Sequence, residues 1–93
     1  MNIKQLKTLS AVIENKSFAA AGDQLGLSHS AVSLQIKAME DELGVSLFDR
    51  ITRPPMPTAR GLALAEHAQK TLALFDASAS VARGELVREK LTM

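Results

Sequence analysis

Between Ser28 and Gly44 the apolar residues Val32, Ile36, Met39 and Leu43 recur at spacings of four, three and four, and no other stretch restricts the fold so tightly. That period belongs to a helix with one buried stripe, not to a strand, whose faces alternate every second residue. Ser28 supplies an N-cap hydroxyl, and Gly44 is the residue type that ends helices in the left-handed conformation. A helix so bounded turns Ser30, Ser33, Leu34 and Lys37 away from the stripe. Two hydroxyls, an exposed aliphatic and a cation on one outer face answer to something beyond the core.

Upstream, Ile3, Leu6, Leu9 and Ile13 place one apolar stripe on a helix running roughly from residue 3 to 14. Asn15 and Lys16 break the pattern. Ser17 then caps a second helix, with Phe18, Ala21 and Leu25 on its buried face and Gly26 as its stop. In this reading Gly22 lies where the second and third helices cross most closely, Gly26 occupies the turn, and Leu25, Leu27, Val32 and Ile36 fill the wedge between them. Two helices joined by a short Gly-containing turn, the second with a polar outer face, describe a helix-turn-helix that enters a DNA major groove. The plainer alternative is a helical hairpin whose polar face meets water.

Downstream, "VSLFDRITRPPMPT" pairs a buried Leu47 and Phe48 with three prolines that forbid helix, so a short β ribbon, a wing, is expected. Thr58 caps a long final helix in which Ala65, Ala68, Leu72, Phe75, Ala79, Ala82 and Leu86 alternate by three and four. That spacing makes a coiled-coil seam. Because the seam is mostly Ala, a facing helix can approach closely, and a second copy of the chain is the economical partner. Gly84 should weaken or end the helix. The expected architecture is mainly α: a winged helix-turn-helix of three helices and a short β wing over residues 1–58, then a long linker and dimerisation helix over 59–93.

Charge is informative by distribution rather than by sum, since eleven bases nearly balance ten acids to leave +1. No acid lies from Gln24 to Met39 or from Arg50 to Arg60, while Glu40, Asp41 and Glu42 stand together and read as a solvated helix end. Carboxylates are thus missing where phosphates would approach. On such a surface Ser30 and Ser33 can bond base edges or phosphates, Lys37 can neutralise a phosphate, His29 can donate to either, and Leu34 can meet a thymine methyl. Arg50 and Arg53 on the proline-stiffened wing suit backbone or minor-groove contact. Arg60 opposes the dipole of the last helix unless an anion lies close.

Other chemistries find little footing. The chain has no Cys, and its two His, His29 and His67, fall on different elements, so neither a Cys nucleophile nor a metal site is expected. No Gly-rich phosphate loop is present and no cofactor is implied. The N-terminus lacks a signal-like apolar core and no window reaches the length of a membrane span, which suits a soluble, cytoplasmic protein that is not an enzyme.

With these residues in place, "SFAAAGDQLGLSHSAVSLQIKAMEDELGVSLFDR" at residues 17–50, continuing through "TRPPMPTARG", resembles the N-terminal DNA-binding domain of LysR-type transcriptional regulators. The resemblance implies a homodimer through antiparallel linker helices and a dyad-symmetric promoter site in double-stranded DNA. It places the groove-facing residues at His29, Ser30, Ser33, Leu34 and Gln35, backbone contacts near Ser28 and Lys37, and a wing arginine at Arg53. His29 stands where many relatives have Gln, Leu34 where many have Arg, and Pro57 where an apolar strand residue is usual. A small-molecule effector would require the second, α/β domain of that family, which this chain does not include. A competing reading is a helical dimerisation module that pairs with other chains without touching DNA.

Overall fold

A computed structural model describes residues 1–84. Its elements run α1 (Ile3–Asn15), α2 (Phe18–Leu25), α3 (His29–Leu43), β1 (Phe48–Asp49), β2 (Met56–Pro57) and α4 (Ala59–Ala82). Local chemistry sets most of the boundaries. The hydroxyls of Ser17, Ser28 and Thr58 accept from the backbone N–H groups of Ala20, Ala31 and Gly61, as expected of N-caps. Asn2 caps α1 in a reciprocal box with Gln5, an unforeseen start signal. Gly26 and Gly44 end their helices at φ 72° and 70°, where a Cβ would be strained. Helix α4 stops at Ala82, just before Gly84.

The core gathers the inward stripes of all the helices: Leu6, Leu9 and Val12 of α1, Phe18 and Ala21 of α2, and Val32, Ile36 and Met39 of α3. Leu47 and Phe48 close it from below the wing, and Phe18 meets Phe48 edge to face at 5.1 Å between ring centroids. The wing is one antiparallel pair, Phe48 opposite Pro57 and Asp49 opposite Met56. Three helices and a two-stranded wing make a winged helix-turn-helix, from which α4 leads away.

The long apolar seam of α4 is divided by this packing. Ala65 and Ala68 are buried at 4% and 0% exposure in the chain's own core, and Leu72 packs partly against it. Ala65 and Ala68, expected at a dimer interface, therefore spend their small size on the close approach of α4 to α1. Beyond the edge of the domain Phe75, Ala79 and Ala82 on the same stripe are exposed. Leu86 lies outside the described residues.

Candidate nucleic-acid interface

The outer face of α3 is built by exclusion: with Val32, Ile36 and Met39 fully buried, helical geometry leaves Ser30, Leu34 and Lys37 pointing outward. Leu34 is 69% exposed, a large apolar side chain turned to solvent. Lys37 pairs with Asp41 one turn on at 3.3 Å, with both side chains about two-thirds in solvent. A pair so exposed is weak and opens readily to a competing anion. Ser33 is half-buried on one flank of this face.

At the helix N-terminus the Ser28 oxygen accepts from Ala31 N–H at 3.0 Å. Among the described residues no acceptor takes the proton of that hydroxyl. His29 is exposed, with its ring tilted beside that of Phe18 at 5.8 Å between centroids. His29 also shares a groove of about 550 Å³ with Pro54, Pro55 and Met56 of the wing. The wing therefore stands beside the start of α3, and Arg53 within it is exposed, with no hydrogen bond or ion pair among the described residues.

Two expected members make internal bonds. Gln35 is half-buried on the flank facing α1, where its Oε1 accepts from the Thr8 hydroxyl at 2.5 Å. It lies one residue off the outward face, a displacement of about 100° on a helix. Arg50 turns back from the wing, its Nη1 donating to Glu40 Oε1 at 2.7 Å. Ser28, His29, Ser30, Leu34, Lys37 and Arg53 are thus exposed, with Ser33 half-buried beside them, whereas Gln35 and Arg50 make internal bonds.

Glu40 is the residue that sequence reasoning missed. Expected to be solvated with its acidic neighbours, it is 6% exposed. Its Oε2 accepts from the backbone N–H groups of Leu47 and Phe48 at 2.7 and 3.2 Å. The only available signal was its place four residues after Ile36, on the flank of the apolar stripe.

The chain matches the family described as bacterial regulatory helix-turn-helix protein, lysR family, over residues 3–62. It is 50% identical over 76 residues to a probable HTH-type transcriptional regulator, LrrA, of Synechococcus elongatus, covering 82% of this chain and 26% of that protein. It is 42% identical over 84 residues to the HTH-type transcriptional regulator BudR of Klebsiella aerogenes, covering 90% of this chain and 59% of that one. The chain thus spans only part of the length of these relatives. Its fold is similar to that in a crystal structure of a BenM DBD with catB site 1 DNA, at TM-score 0.85, 34% identity and 89% coverage of each chain. A crystal structure of a CbnR DBD–DNA complex matches at TM-score 0.84 and 37% identity, covering 90% of this chain and 97% of that one.

Proposed function

The chain belongs to the lysR family of bacterial regulatory helix-turn-helix proteins, and from that membership we propose that it is a sequence-specific, homodimeric DNA-binding regulator of transcription. Residues 1–58 form the DNA-binding unit and residues 59–93 the linker that pairs two copies. Helix α3 lies in the major groove, where Ser30 and Ser33 bond base edges or phosphates and Leu34 covers a thymine methyl. Lys37, Ser28 and His29 hold the backbone around it, and the exposed Arg53 enters the adjacent minor groove. The observation that carries this reading is one surface that joins the outward face of α3 to a wing bearing an uncommitted arginine.

Dimerisation rests on the exposed half of the seam, Phe75, Ala79 and Ala82, continuing from Leu72, with Leu86 next in the same sequence period. Two heads so joined suit a dyad-symmetric promoter site in double-stranded DNA, with half-sites spaced by the linker. The complete regulators are longer, so a small-molecule effector would act through a further domain. Nothing in this role calls for catalysis, a metal or a cofactor. Among the described residues no helix is long and apolar enough to cross a membrane, and a cytoplasmic protein meeting DNA directly fits the role.

The test is selection from randomised duplexes, followed by titration of the enriched sequence against salt and measurement of the complex's mass. An enriched dyad, bound by two chains with log affinity falling linearly in log salt, is expected. A dimer that enriches no sequence and binds all duplexes alike would overturn the reading in favour of a pairing module.

A further inference from the structure

Among the described acidic side chains only Glu40 is buried, and a carboxylate taken from water is costly unless its oxygens are bonded. Every side-chain bond it makes runs to the base of the wing. Oε2 takes the N–H groups of Leu47 and Phe48, and Oε1 takes the guanidinium of Arg50. Its backbone carbonyl meanwhile accepts from Gly44 and Val45 at 2.8 and 3.3 Å. Thr58 holds the strand's lead-in from the α4 side, through Ser46 and Leu47, and Leu47 and Phe48 pack in the core. From the α3 side it is Glu40 that bonds it, at Leu47 and Phe48 and, past β1, at Arg50.

We propose that Glu40 is a positioning residue for DNA binding: its carboxylate locks the wing to the recognition helix, so that Arg53 and α3 meet the duplex as one rigid unit. The inference rests on the reading above, in which helix and wing share one duplex. Its physical basis is preorganisation. A wing already fixed in place loses little freedom on binding, whereas a tethered one must be ordered at the expense of affinity. Arg50 serves the same end by completing the carboxylate's bonds, its side chain lying along the surface with one nitrogen on Glu40.

The test is a double-mutant cycle on the enriched duplex across a range of KCl, with wild type, Glu40→Gln, Arg53→Ala and the double variant. Losing Arg53 from both chains of the dimer should weaken binding roughly 25-fold to 100-fold and lower the salt slope by about two, one cation being removed from each half-site. Glu40→Gln should do the same, with its Leu47 and Phe48 amides exchanging faster with solvent, and the double variant should bind no worse than either single one. Additive losses, or wild-type affinity and slope in Glu40→Gln, would overturn the proposal and leave the carboxylate a role in stability alone. A steeper slope would overturn it too, since a released Arg50 would then be taking a phosphate. Should Glu40→Gln fail to fold, Arg50→Met keeps both backbone bonds, removes the ion pair and enters the same cycle with the same expected non-additivity. A wild type with no preferred duplex would defeat the functional reading itself, whereas sequence-specific binding with an additive cycle defeats only this inference.

Discussion

Gly22 sits in α2 against the turn it helps to form. A Cβ there would stand 2.5 Å from the carbonyl oxygen of Leu27, whose N–H donates to the Gly22 carbonyl at 2.8 Å. Backbone on both sides leaves no flexible side chain to yield, so Gly22→Ala should destabilise the domain by about 1–3 kcal/mol, measured by urea unfolding. That close approach was legible in the sequence, because a small residue at a fixed distance from a turn has few other uses. Leu34 poses the opposite case. Being 69% exposed, it should contribute little to folding, and Leu34→Ala should leave the unfolding midpoint almost unchanged. Affinity for the selected site should fall roughly threefold to tenfold, the scale of one apolar base contact. Binding to a duplex with deoxyuridine in place of the contacted thymine should then be equal for the two proteins, and a persistent difference would remove the methyl contact from the account.

At the scale of elements, α4 carries one periodic stripe with two fates. Ala68→Glu should place a charge at a position with no exposure, costing about 3 kcal/mol or more and unfolding a domain this small. Ala79→Glu, on the exposed continuation of the same stripe, should preserve the helical circular dichroism and melting of the monomer while weakening self-association in sedimentation. If Ala79→Glu folds and remains dimeric, the exposed seam is not the interface. A spacing of three and four residues is the same in both halves, so periodicity locates the stripe without saying what covers it. The same limit applies to the recognition helix. Its bounds at Ser28 and Gly44 follow from local hydrogen bonds and φ, whereas the turn of Gln35 toward Thr8 depends on where α1 lies.

At the scale of the whole molecule, a short chain buries a modest fraction of its surface and gains from a partner. If α4 seals a dimer, the thermal midpoint should rise with protein concentration, and differential scanning fluorimetry over a wide dilution series would show it. A midpoint independent of concentration would mean that each head folds alone and the linker pairs loosely. The three caps, the two glycine stops, the proline-built wing and the apolar stripes were determined by the sequence itself, because each depends on residues within a turn or two of one another. Tertiary structure alone decided that Glu40 is buried, that Arg50 pairs with it, and that Ala65 and Ala68 are claimed by α1 before any second chain arrives. Those outcomes depend on which element stands opposite, and partners far apart in the chain leave no mark in local spacing.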